Sequence, residues 1–172
     1  MKHRDINDKI LRTMTIAILV LALGILALAC ASPARGDGRT YTAEEADLLA
    51  RCVWGEYRGS DDVQVVAVAW CILNRVDDAR FGNTIKEVVT APWQFSGYQP
   101  TNPIDPRIYQ ICVDVLTRWQ AEQTVCGSIG RVLPSEYVYF TGNGRVNLYR
   151  ADYWSREYWD WQLPSPYEGV EG

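Results

Sequence analysis

Residues 63–73 read VQVVAVAWCIL, an apolar run interrupted only by Gln64. An element that is apolar on nearly every face has no side to offer water, so other elements must pack around it. The β-branched residues leave a buried strand as the local alternative. The run continues into Asn74 and Arg75, and that length favours a helix. Asp61 or Asp62 is placed to cap it. The rest of the chain is therefore expected to wrap a central buried helix.

The flanking segments have amphipathic rather than uniformly apolar patterns. In YTAEEADLLARCVWGEYRG, Ala46, Leu49, Val53 and Tyr57 recur at helical spacing. Thr42 and Glu45 have the spacing of a capping box, and Gly59 is a natural stop, so a helix is expected over 43–57. Thr84 and Glu87 suggest a second box before a short helix through Val89. APWQFSGYQPTNPIDP is broken by Pro92, Gly97, Pro100, Pro103 and Pro106 and reads as a loop. Asp105 and Pro106 then open another helix, whose buried stripe runs through Ile108, Ile111, Cys112, Val115, Leu116 and Trp119. SEYVYFTG alternates as a strand does. NGRVNLYRADYWSREYWDWQ is aromatic and turn-rich with no clear period. The expected fold class is mainly α (α+β), a single domain with a small β element over residues 42–172.

That domain follows a different kind of segment. Lys2, Arg4, Lys9 and Arg12 precede an 18-residue stretch, Met14 to Ala31, that carries no charge. Its length favours a retained membrane anchor over a cleaved signal, and Cys30 raises the further option of lipidation. In each case the basic flank stays inside and the remainder is delivered outside the cytoplasm. Residues 1–31 are read as signal or anchor and 32–41 as a Pro/Gly-rich linker.

Composition then removes whole classes of chemistry. The sole histidine is His3, before the apolar stretch. A Ser-His-Asp or Cys-His hydrolase cannot be assembled from residues 42–172, nor can the usual histidine-containing catalytic zinc site. Proton transfer there falls to a carboxylate, a tyrosine, a lysine or water. Carboxylates acting outside cells point first to glycoside cleavage. Without residues 1–31 the chain carries 13 basic against 19 acidic groups, which argues against nucleic acid as a partner. Seven Trp and ten Tyr suit either a tight core or a carbohydrate groove. Cys52, Cys71, Cys112 and Cys126 permit two disulfides, but Cys52 and Cys71 fall in buried helical positions where free thiols are expected. Neither a metal nor another cofactor is expected.

Glu56 is the carboxylate that stands out. It lies seven residues from Leu49, four from Cys52 and three from Val53, and so on the apolar face of its helix. It also sits in the last turn, at the negative end of the helix dipole. Burial and dipole both push its pKa up, as a general acid near neutral pH requires. The plainer alternative is a solvated glutamate paired with Arg58 or Arg75.

Four motifs in order sharpen the choice. Glu56-Tyr57-Arg58-Gly59, Leu73-Asn74-Arg75, Arg80-Phe81-Gly82-Asn83-Thr84 and Gln94-Phe95-Ser96 together resemble the spore-cortex-lytic cell wall hydrolase family of the SleB type. The resemblance spans residues 45–98. It departs from the family at Tyr57, where an alanine is usual, at Ser60, where an acid is usual, and in a carboxy-terminal half that lacks histidine. The resemblance implies a lysozyme-like fold and a peptidoglycan-cleaving lytic transglycosylase, acting on glycan strands with Glu56 as catalytic acid. A monomer is expected. Gln94, Phe95, Ser96, Tyr98 and Tyr139 are the implied substrate-binding residues, with Gln94 meeting an acetamido group or holding Glu56. Trp154, Trp159 and Trp161 are candidates for a sugar-binding wall. Asp61, Asp62, Asp77 and Asp78 read as caps and solvated helix ends, Asn74 as a cap, and Arg58 and Arg75 as partners of nearby acids. A water-using muramidase of the same fold, or an inactive glycan-binding module, are the competing readings.

Overall fold

The structure, a computed structural model, describes residues 40–124, 129–142 and 146–167. The expected signal or anchor, most of the linker and Cys126 lie outside the described residues. The chain divides into two units, Met1–Asp37 and Gly38–Gly172, and the described residues all belong to the second. No described helix is long and apolar enough to cross a membrane.

Four helices and one hairpin make up the described part of this unit: α1 Ala43–Glu56, α2 Asp62–Asp77, α3 Ile85–Thr90, α4 Pro106–Glu122, β1 Tyr139–Gly142 and β2 Asn147–Arg150. The fold is mainly helical with a two-stranded sheet, as expected. The run at 63–73 is helical, and α2 is buried from Gln64 to Val76. Helices α1, α3 and α4 all pack against it, and α1 also packs on α3 and α4. Trp70, Ile72 and Leu73 of α2 and Leu49 and Val53 of α1 are fully enclosed. Each such side chain contributes about 1.5–3 kcal/mol of transfer free energy, which offsets the entropy of ordering the chain around α2.

Local sequence sets the helix starts. Thr42 and Glu45 form the reciprocal capping box, with the Glu45 amide donating to Thr42 Oγ1 at 3.2 Å and the Thr42 amide to Glu45 Oε2 at 2.9 Å. Asp61 caps α2 through the Val63 amide at 2.9 Å. Asp105 caps α4 through the Ile108 amide at 3.0 Å, with Pro106 in the first turn. At α3 the Glu87 amide donates to Thr84 Oγ1, but the Glu87 carboxylate accepts from Asn83 rather than from Thr84, so half of the expected box forms.

The carboxy-terminal half is where the structure adds most. The strand begins at Tyr139, later than SEYVYFTG suggests. Its antiparallel partner, Asn147–Arg150, comes from the segment without a clear period. Phe140 faces Tyr149 in register, and Tyr149 is fully buried between Phe140 and Trp161. The aromatic density at this end therefore serves packing in large part.

Asn74 does not cap α2. Its Nδ2 donates to the carbonyls of Pro134 at 2.8 Å and Tyr137 at 2.9 Å, and its Oδ1 accepts from Arg131. It ties the end of the central helix to the segment that leads into β1. Asn74→Ala would leave the Tyr137 carbonyl without its donor, while the Pro134 carbonyl keeps the Tyr137 amide at 3.0 Å, and is expected to cost about 1–3 kcal/mol, read from urea unfolding of the full chain. A loss below about 0.5 kcal/mol would contradict this bridging role.

Candidate active site

Glu56 is the last residue of α1, partly buried, and Tyr57 follows it in an extended conformation. Its Oε1 accepts a hydrogen bond from the Gly97 amide at 2.8 Å. Two glycines make that bond geometrically possible. A Cβ on Gly97 would overlap the Gly55 carbonyl, and a Cβ on Gly55 would overlap the Gly97 carbonyl. With hydrogen in both places, the end of α1 and the loop touch backbone to backbone. Asn102 locks the contact, its Nδ2 donating to the Gly97 carbonyl at 2.9 Å and the Arg51 carbonyl at 3.1 Å, while Arg51 returns a bond to the Asn102 carbonyl.

Arg75 supplies the nearby positive charge. It is 5% exposed and projects from α2. Its Nε donates to the Val138 carbonyl at 2.5 Å and its Nη1 to Gln94 Oε1 at 2.6 Å. Its guanidinium lies over the rings of Phe95 at 4.6 Å, Phe81 at 5.2 Å and Tyr139 at 5.6 Å. A buried guanidinium is tolerated only when its donors and its charge are met, and here a carbonyl, an amide oxygen and three ring faces meet them. The expected pairing of Arg75 with a local acid is replaced by this cage. Arg58 likewise stacks on Trp54, at 4.3 Å.

Burial pushes Glu56 up from its ordinary carboxyl value, while the Gly97 amide and the Arg75 charge hold it back. Among the described residues, no second carboxylate contributes to this shift. The acids read as caps and helix ends behave as such. Asp61 caps α2, Asp62 pairs with Arg107, and Asp78 pairs with Arg80. Asp77 accepts from the Trp119 indole at 2.9 Å.

The sequence candidates separate into two groups. Gln94 and Phe95 gather on Arg75, with Phe95 buried in the core. Ser96 is exposed, Tyr98 is half-buried in the turn that carries Gly97, and Tyr139 sits between Phe81 and Tyr153. Of the three carboxy-terminal tryptophans, Trp159 and Trp161 pack on the core and Trp154 is 84% exposed. Sequence reasoning missed Trp93, which is fully exposed beside Gln94 with φ 65. A left-handed backbone costs a residue of this type about 1 kcal/mol or more. It also missed Asn102 and the glycine pair. Gly55 was the available signal, because a glycine inside a helix turn costs about 1 kcal/mol unless something must come close. Cys52, Cys71 and Cys112 are buried free thiols, and burial raises all three pKa values, Cys71 to about 12.

A helix-borne carboxylic acid, held by one backbone amide beside a caged guanidinium, is the candidate acid of this site on a mainly helical scaffold. The sequence profile of the Cell Wall Hydrolase family matches residues 59–157, more than half of the chain, and the chain belongs to that family. Glu56 stands just before the matched span. Spore cortex-lytic enzymes are similar over 56 residues, at 43% identity in Bacillus cereus and 39% in Oceanobacillus iheyensis. That stretch is 33% of this chain, and it covers only 22% and 20% of the two relatives. Among solved structures, the catalytic domain of the Bacillus cereus SleB protein aligns with a TM-score of 0.47 and 27% identity, over 63% of this chain and 81% of that one. The catalytic domain of the germination-specific lytic transglycosylase SleB from Bacillus anthracis aligns at 0.46 and 25%, over 60% and 77%.

Two outcomes are expected from this geometry. Because folding raises the Glu56 pKa, the fold favours its neutral form. That contribution is full below the ordinary carboxyl value and is lost as pH rises through the folded value. Glu56→Gln is therefore expected to be more stable than wild type near pH 7, with the difference vanishing toward about pH 3. Thermal melts across that range check it, and a variant less stable at neutral pH than at acid pH, relative to wild type, contradicts it. Gly97→Ala is expected to cost about 2–3 kcal/mol, because backbone on both sides cannot yield, and a change below about 0.5 kcal/mol in urea unfolding contradicts the close approach.

Proposed function

We propose that this protein cleaves the glycan strands of peptidoglycan as a lytic transglycosylase, with Glu56 as its acid and base. Protonated Glu56 gives its proton to the glycosidic oxygen between N-acetylmuramic acid and N-acetylglucosamine. The carboxylate so formed takes the proton of the muramic acid C6 hydroxyl, whose oxygen closes on C1 to give a 1,6-anhydro ring. One carboxyl group thus serves both halves, and no water is consumed. The balance at Glu56 suits this exchange. Burial favours the neutral acid before the transfer, and the Gly97 amide and Arg75 favour the anion after it.

The observation that carries the transglycosylase reading is that, among the described residues, no second carboxylate acts on Glu56. A retaining glycosidase needs a second one about 5–5.5 Å away, which would press on the Glu56 pKa. Among the described residues the charged side chain acting on Glu56 is Arg75. Family membership supports cell wall as the target. The relatives named as spore cortex-lytic enzymes support the substrate class, although the match covers about a fifth of their length.

In this reading Ser96, Tyr98 and Tyr139 meet the sugar, while Gln94 and Phe95 act by holding Arg75. The uncharged stretch Met14–Ala31 serves to deliver the domain outside the cytoplasm at the membrane, where the cell wall is within reach.

The test is mass spectrometry of the products released from purified peptidoglycan by the full chain and by Glu56→Gln. Wild type is expected to release 1,6-anhydro-muropeptides, and Glu56→Gln to lose at least about a hundredfold in rate. Reducing-end products alone would establish a water-using muramidase instead. Undiminished activity of Glu56→Gln would remove Glu56 from the chemistry.

A further inference from the structure

An aromatic path leads away from the site and ends in solvent. The Arg75 guanidinium lies 5.6 Å from the Tyr139 ring, Tyr139 lies 5.7 Å from Tyr153, and Tyr153 lies 4.9 Å from Trp154. Exposure rises along it, with Tyr139 partly covered, Tyr153 55% exposed and Trp154 84% exposed. We propose that Tyr153 and Trp154 form a distal sugar-stacking position, which holds the glycan strand away from the bond being cut. The proposal rests on the glycan-strand reading of the site.

The turn that presents these rings is built rather than loose. Arg150 Nη1 donates to the Tyr153 carbonyl at 2.9 Å, and Arg150 Nη2 donates to Thr141 Oγ1 at 3.1 Å, which fastens the turn to the hairpin. The Trp154 amide donates to Asp152 Oδ1 at 2.8 Å and the Ser155 amide to the Asp152 carbonyl at 3.2 Å. A large indole is thus fixed in water while its neighbours Trp159 and Trp161 turn into the core. Tyr153 and Trp154 meet at 90°, an edge-to-face contact, and the high exposure of Trp154 leaves ring surface open for a further partner.

A sugar fits that partner better than a lipid surface. The CH face of a pyranose stacks on an aromatic ring, and its hydroxyls need polar groups at the ring's edge. Asp152 and Arg156, both exposed, border the indole in sequence. Tyr139, which meets the sugar in this reading, touches Tyr153 at 5.7 Å, and that continuity makes the occupant an extension of the substrate rather than a separate ligand.

The experiment measures equilibrium binding of soluble glycan strands of defined length to the full chain. It is done in a Glu56→Gln background so that nothing is cut, with Trp154 intact, as Trp154→Ala or as Trp154→Tyr. Long strands are expected to bind about three- to tenfold more weakly to Trp154→Ala, narrowing the preference for long over disaccharide ligands. Trp154→Tyr is expected to restore most of the loss, which a merely structural defect would not allow. Equal affinity of Trp154 and Trp154→Ala for long strands overturns the distal position and leaves the glycan reading intact. Absence of strand binding by the Glu56→Gln protein at every length overturns both.

Discussion

The site depends on one contact between backbones that carry no side chains. Gly55 and Gly97 meet at the end of α1, and because neither has a Cβ, the Gly97 amide reaches the Glu56 carboxylate. Were either residue larger, helix and loop would stand apart and Glu56 would fray toward water, as glutamates at helix ends commonly do. Asn102 converts a permitted contact into a held one by bonding carbonyls on both sides of it. Backbone amides are well suited to this duty, since their position is fixed by the fold rather than by a rotamer.

Arg75 joins the two halves of the domain. It belongs to the central helix, yet its bonds go to Gln94 in the loop and to the Val138 carbonyl just before β1. Burying a guanidinium costs several kcal/mol unless every donor is met. The cage of Phe81, Phe95 and Tyr139 therefore binds loop and hairpin to α2 through one cation. The same charge favours the ionised form of Glu56, so the group that organises the site also tunes its acid. A lysine could not hold this arrangement, because a single ammonium cannot lie flat on rings and bond two separated acceptors in a plane.

Legibility in the sequence tracks the range of each interaction. The capping box at Thr42 and Glu45, the cap at Asp61 and the Asp105-Pro106 start are local, and the sequence shows them. The burial of α2 and the inward face of Glu56 are equally legible, since each arises from spacing along one helix. The hairpin is half legible. β1 alternates, but β2 takes its identity from Phe140 across the ladder, which no pattern within NLYR announces. Asn74 and Arg75 read locally as a cap and a partner of acids, and both readings fail because the true partners lie in distant segments. Gly55 within its helix hints at a close approach, but Gly97 stands far away in the chain and only the fold pairs the two. Trp159 and Trp161 look no different from Trp154 until the fold turns two of them inward.

The most direct test of the central claim is a carbon-13 titration of the Glu56 side-chain carboxyl in the full chain, assigned by its absence in Glu56→Gln. A midpoint clearly above the ordinary carboxyl value is the result this account requires, since burial outweighs the Gly97 amide and Arg75. A midpoint at or below that value would make Glu56 a permanently ionised partner of Arg75 at neutral pH, and would end its candidacy as the proton donor.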